Sequence, residues 1–420
     1  MNRRILSTIA ATTLLVAACQ NTPTPAPTST VDVNAPTVEP TTEPDPTATP
    51  IPKGTILKLY SSLPLTGARS EEAKSVVNAI TLALDQHTDS GTLCNGLYKI
   101  TYESLDDATA AKGGWDTLTE QANAYKANAD ADAMAYIGPL DSGAARVSAP
   151  VLEQTSLAMF SPGADYIGLT RPYAPSDPQA YFPAGKRNFM RLATPLDVQG
   201  AAAAEWVKSL GVTSVLIVDD EEQYGYGVSD AFEMAAKKAG LQVTGRDAIN
   251  LKSGNLLALA GRAMNVDLVF FGGADPKIAG QFLAQMRKAG AKARFMGTSV
   301  IMTKDFADAA GDAAEGVYAF GAGVSLDALS VKGKQFVQDF QARFSVKPSS
   351  AAVYGYEAAS VALATMGKVC LKDRVALLDA MFKTQDFDGV LGKWSFDANG
   401  DISLTSELHY ILQKGAWQVQ

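Results

Sequence analysis

From Ile56 onwards the chain alternates, twice over, between short apolar runs and longer runs of helical period, and no other feature limits its fold as strongly. In the first round, residues 56–62, 98–105, 134–138 and 157–161 read as strands. Helices are expected at about 71–87, at about 115–127, and from Ser142 onwards. Such alternation builds a parallel sheet covered by helices. A Pro-rich, aromatic segment (171–186) interrupts, and the pattern restarts with strands at 214–219, 241–245, 267–272 and 294–296. Helices at 228–239, near 256–264 and at 277–289 separate them. The rest carries helices around 331–344, 351–369 and 373–382, then strand-like 391–396 and 407–413 joined by the turn Asp397-Ala398-Asn399-Gly400. A body this long outgrows a single core. Two α/β lobes are therefore expected, with the last part of the chain recrossing between them. Parallel α/β sheets bind ligands at the carboxyl ends of their strands, so two such lobes make a cleft.

The N-terminus sets the compartment. Arg3 and Arg4 precede an uncharged, mostly apolar run, residues 5–18, which has the layout of a secretory signal. The run is shorter than the about 20 residues a bilayer requires. It ends in Val16-Ala17-Ala18-Cys19, small residues before a cysteine that resemble a bacterial lipobox, in which Cys19 becomes the lipidated first residue. Residues 20–52 are dominated by Thr, Pro and Ala and cannot bury enough surface to offset their ordering entropy. This reads as a signal peptide (1–18), then a lipidated Cys with a Pro/Thr-rich tether (19–53). The body is expected to be exported and anchored by lipid to the outer face of the cytoplasmic membrane.

Composition closes several routes. The formal charge is −8, and no Lys/Arg cluster marks a nucleic-acid partner. Apart from Cys19, Cys94 and Cys370 remain, and export permits a disulfide between them, expected near helix ends away from the cleft. His87 and His409 belong to no His/Cys cluster, so no metal site is expected, and both read as structural. Gly-x-Ser-x-Gly, a Walker loop and zinc spacing are all missing from the sequence, so it implies neither catalytic residues nor a cofactor.

Three stretches carry binding chemistry. In Gly138-Pro139-Leu140-Asp141-Ser142-Gly143, Ser142 reads as an N-cap at a helix start whose free N–H groups suit a carboxylate. In Phe160-Ser161-Pro162-Gly163-Ala164-Asp165, small residues let backbone approach a ligand, and Asp165 either holds a cation or caps the turn that follows it. In Asp219-Asp220-Glu221-Glu222-Gln223-Tyr224-Gly225-Tyr226-Gly227, two glycines fall short of a dinucleotide fingerprint. Tyr224 there either stacks on a ligand or packs against the other lobe.

Together with Leu59-Tyr60-Ser61-Ser62-Leu63-Pro64-Leu65-Thr66-Gly67, Phe270-Phe271-Gly272-Gly273, Phe295-Met296-Gly297 and Ala314-Glu315-Gly316-Val317, these motifs resemble a known family. It is that of the substrate-binding proteins of branched-chain (leucine/isoleucine/valine-type) amino-acid ABC transporters, in the type I periplasmic-binding-protein superfamily. The resemblance implies two Rossmann-like lobes joined by a three-strand hinge, one of 54–194 with 322–397, the other of 195–321 with 398–420. It implies a small polar ligand, an ABC permease as partner and no enzymatic activity. It also implies that Ser142 and residue 165 grip the ligand carboxylate with backbone at Gly163 and Ala164, while Tyr224 closes from the second lobe.

Three positions depart from the family pattern. Asp165 stands where the family has Ser or Thr, Ser299 follows Phe-Met-Gly-Thr where an acid receives the ligand ammonium, and Ala274 replaces an aromatic. Either Asp165 has taken over the ammonium, or the ligand is an amide, a urea-like molecule or another polar solute. A ligand sensor of the same fold feeding a regulatory system is the functional alternative to a transport receptor.

Overall fold

The computed structural model describes residues 51–220, 223–249, 256–273 and 275–420. The signal-like run, Cys19 and the tether as far as residue 50 lie outside the described residues, as does Ala274.

Strand β1 (Thr55–Leu63) is the centre of the first sheet. It pairs in parallel with β2 (Tyr98–Asp106) on one side and β3 (Ala133–Ile137) on the other, followed by β4 (Ala158–Ser161) and β5 (Phe189–Arg191). Helices α1 (Ser70–His87), α2 (Thr117–Ala129) and α3 (Ser142–Glu153) make the crossovers. Both faces of the sheet are covered, which is why its strands read as near-continuous apolar runs. Leu57, Leu59 and Leu63 enter one core with Val76 and Ile80 of α1, while Tyr60 and Tyr136 enter another with Ala145 and Leu152 of α3.

The second sheet repeats the plan. After α4 (Leu196–Ser209) come β6 (Ser214–Asp219), α5 (Gln223–Ala239), β7 (Gln242–Ala248), α6 (Leu256–Arg262) and β8 (Leu268–Phe271). Then follow α7 (Pro276–Lys288), β9 (Arg294–Thr298), α8 (Lys304–Ala310) and β10 (Tyr318–Ala322). The spatial order is β7-β6-β8-β9-β10, matching β2-β1-β3-β4-β5. In each sheet the order reverses beside the first strand, between β1 and β3 or between β6 and β8. Reversal points of this kind open the crevice in which α/β sheets bind ligands.

Three passages join the sheets. The chain leaves the first after β5 through residues 192–195 and returns after β10. There α9 (Val331–Phe344), α10 (Ser350–Val369) and α11 (Arg374–Phe382) pack on the first core. It leaves again through 403–406 to add antiparallel β11 (Glu407–Gln413) and β12 (Ala416–Val419) to the second sheet. Buried Arg191 at the end of β5 donates to Asp401 Oδ1 (2.8 Å), to the Tyr166 carbonyl (2.7 Å) and to Thr170 Oγ1 (2.5 Å). Thr194 and Ser406 then bond reciprocally, 2.7 Å from hydroxyl to carbonyl and 2.9 Å from amide to hydroxyl. The first and third passages are thus stitched side by side.

Some elements differ from the sequence expectation. Helix α2 begins at Thr117, because the Asp116 carboxylate accepts from Leu118 and Thr119 N–H, both at 3.1 Å. Trp115 falls instead in a two-residue strand paired with Ala108. The expected strand at 391–396 is part of a tight hairpin, Phe387–Gly389 with Gly392–Trp394. Cys94 and Cys370 form a disulfide with Cα atoms 5.9 Å apart. Cys370 is the C-cap of α10, but Cys94 lies in the turn between the edge strand Thr92–Leu93 and β2 rather than at a helix end. The bridge closes a separation of 276 residues. Replacing both cysteines by serine is therefore expected to lower the unfolding free energy by about 5 kcal/mol in guanidinium titrations; a loss under about 1 kcal/mol would contradict this.

Candidate ligand-binding site

The loops after β1, β3 and β4 meet at the reversal point of the first sheet, and glycine lets them meet. Gly138 has φ +122, and a Cβ there would stand 2.2 Å from the Ser62 carbonyl. A Cβ on Gly163 would stand 2.7 Å from the Leu140 carbonyl. Ser161 Oγ pins the two turns together, donating to the Pro139 carbonyl (2.6 Å) and accepting from Ala164 N (2.8 Å) and Gly163 N (3.3 Å).

Ser142 is not the N-cap expected from the sequence. It is the first residue of α3; Asp141 is the cap and makes no side-chain capping bond. The Asp141 carboxylate is drawn off instead by Arg69 (2.9 Å), whose Nε pairs with Glu72 (2.8 Å). The Ser142 hydroxyl reaches across to the β4 loop, accepting from Asp165 N and Tyr166 N, each at 3.0 Å, and donating to Asp165 Oδ1 at 3.1 Å. A serine hydroxyl has one proton and two lone pairs, and here all three are used. Asp165 does not cap the turn that follows it either, since Ile167–Leu169 is preceded by Tyr166 and has no side-chain cap. Its second oxygen accepts from Gln199 Nε2 of α4 at 3.1 Å. Burial pushes the Asp165 carboxyl above its usual range, against the pull of these hydrogen bonds.

Across the cleft, α5 starts at Gln223, so Tyr224 sits in its first turn. Burial, and next the Asp165 carboxylate, push the Tyr224 phenol well above its usual value, with Thr298, Arg69 and Asp141 also in reach. Gly273 and Gly225 leave room for the Asp220 carboxylate, whose oxygens lie 2.9 and 2.2 Å from where their Cβ atoms would be. Ser299 is exposed, and a Cβ on Gly321 of β10 would meet its Oγ at 2.8 Å. The structure thus gathers Ser142, Gly163, Ala164 and Asp165 into one knot with Tyr224 facing it, and sets Ser299 against β10.

Five contributors were not singled out from the sequence. Gln199 holds Asp165 from α4, and Arg69 engages Asp141. The Trp115 ring lies against the first turn of α3, 2.5 Å from where a Gly143 Cβ would stand. Behind the loops, buried Glu120 accepts from Ser62 Oγ (2.5 Å) and Tyr136 OH (2.9 Å). Beside it lies Asp107, fully buried with neither carboxylate oxygen hydrogen-bonded. Burial, then the Glu120 and Asp141 charges, push Asp107 up to about 8, and burial pushes Glu120 up to about 7. The two histidines take structural positions: His409 stacks on Trp206 at 4.1 Å, and His87 lies beside Tyr356.

The sequence profile of a family described as periplasmic binding protein matches residues 61–408. The Leu/Ile/Val-binding protein homolog 1 of Brucella abortus is 26% identical over 360 residues, covering 84% of this chain and 90% of that protein. Among solved structures, the leucine-binding protein LivK of Thermotoga maritima superposes with a TM-score of 0.70 at 22% identity, covering 87% of this chain and 97% of its own. An ABC-transporter solute-binding protein of R. palustris in complex with benzoate gives 0.65 at 19% identity, over 87% and 95%. These solved structures share the type I periplasmic-binding fold with the present chain.

A pH dependence follows from the buried acids. Asp107 titrates near 8 when folded and near 3.9 when unfolded, so between these values the native state holds a proton that the unfolded chain has lost. Its contribution to stability is present below about pH 4 and is lost as pH rises through 8. Asp107→Asn should flatten the fall of stability over that window by up to one proton's worth, about 1.4 kcal/mol per pH unit. Urea titrations at a series of pH values measure it, and an unchanged slope would refute the assignment.

Proposed function

The chain belongs to the periplasmic binding protein family, and from that premise we propose that it captures a small solute carrying an amino group between its lobes and passes it to an ABC permease. Family membership makes it a binding receptor and not an enzyme. Asp165 is the observation that carries the reading: a carboxylate at the reversal point of the first sheet, oriented by Ser142 and Gln199 and faced by Tyr224. The relatives named above as leucine-, isoleucine- and valine-binding take ligands with an ammonium group. We assign Asp165 to receive one, because Ser299 is uncharged at the position where the family pattern has an acid.

Capture begins on the first lobe, and closure about the three passages brings Tyr224 over the solute. The Arg3-Arg4 signal run and Cys19 support export and a lipid anchor, and the tether then keeps the receptor at high effective concentration near its permease.

A thermal-shift titration tests this with leucine, isoleucine, valine, isoamylamine, isocaproate and leucinamide. A ligand at about 100 times its dissociation constant adds about 2.7 kcal/mol of stability. At least one compound bearing an amino group should raise the melting temperature, isocaproate should not, and Asp165→Thr should abolish the response. A shift by isocaproate that survives Asp165→Thr would refute the reading.

A further inference from the structure

We infer that Asp165 places the chain's own carboxylate where an incoming one would sit, so that this cleft takes small cations lacking a carboxylate, namely primary amines and guanidines. The inference rests on the reading of the cleft given above and narrows its ligand. In the loop after β4, the donors that would hold a ligand carboxylate are already in use. Four consecutive amides, from Gly163 to Tyr166, are turned inward: the first two onto Ser161 Oγ and the last two onto Ser142 Oγ. The single Ser142 proton goes to Asp165.

Charge argues the same way. Asp165 is bonded by two neutral donors, Ser142 and Gln199. Among the described residues, the cation acting on Asp165 is Arg191, which is committed to Asp401, while Arg69, in reach of Tyr224, is committed to Asp141 and Glu72. An anion without a cationic partner in a closing cleft is costly, and a ligand that supplies the missing charge removes that cost. A ligand carboxylate at the same place would add a second negative charge beside the first, with Asp141 close by.

Calorimetric titration of the full chain with a matched set decides the matter: isoamylamine, leucine and isocaproate, extended by putrescine and agmatine. Isoamylamine or another of the amines should bind at least about tenfold more tightly than leucine, and isocaproate should not bind. Asp165→Asn should weaken the amine by about 30-fold or more, the usual scale for removing one partner of a buried charge pair. In the free protein the same variant should raise the melting temperature at pH 7, because an uncompensated anion is gone. Leucine binding as tightly as isoamylamine, with dependence on Asp165, overturns this inference and leaves the amino-solute receptor standing. Isocaproate binding that is indifferent to Asp165→Asn overturns both. Silence of every amine while leucine binds, or a free Asp165→Asn protein that melts lower, overturns the inference alone.

Discussion

Gln199 holds the cleft carboxylate and the interlobe passages in one hydrogen-bond set. Its Nε2 donates to the Thr194 carbonyl (2.7 Å) and to Asp165 Oδ2 (3.1 Å), and its Oε1 accepts from Ala322 N (3.0 Å). Thr194 lies on the first passage between the sheets, and Ala322 ends the strand that precedes the second. Thr194 in turn pairs with Ser406 on the third. Buried polar groups must find partners, so the position of Asp165 and the arrangement of the passages are fixed together. A ligand that draws on Asp165 acts on an element the hinge already uses, which is the physical link between capture and closure in this molecule.

The rest of the site hangs on the doubly repeated sheet. Parallel strands deliver their carboxyl ends to one edge, and the order reversal beside β1 opens a gap that three loops fill. Close backbone approach at Gly138 and Gly163 sets those loops, and Ser161 locks them. The support behind them is polar as well as apolar. Glu120 ties Ser62 to Tyr136, while Asn123 Nδ2 donates to Ser62 Oγ (2.9 Å) and to the Asp106 carbonyl (2.8 Å). Asp107 sits in this layer unpaired, a group that sheds its charge at neutral pH rather than finding a partner.

Much of this was legible in the sequence because apolar periodicity reports burial directly. The strands at 214–219 and 407–413 and the helix at 331–344 were read with the bounds they have. Elements whose pattern is weak were not. β5 is three residues long, and α4 is an alanine run without a clear apolar stripe. The motifs led to Ser142 and Asp165, but their relation was hidden. A serine before a helix looks like its cap, and only the fold shows its hydroxyl spent on a loop 23 residues away. Gln199 and Asp107 carry no local signature at all, since their roles depend on partners brought together by sheet topology. Chain-local chemistry is readable along a sequence; long-range hydrogen bonding and the loss of solvent are not.

The central claim is that Asp165 is an anion awaiting a cation. The direct test follows its side-chain carboxyl carbon by NMR through a pH titration, in the free protein and with saturating isoamylamine. The account predicts a midpoint above the ordinary carboxylate range in the free protein, where burial opposes ionisation, and a clear fall on binding as the ammonium stabilises the charged form. A midpoint that rises or stays put on binding would mean that the ligand does not meet this carboxylate as a cation, and the account would be wrong at its core.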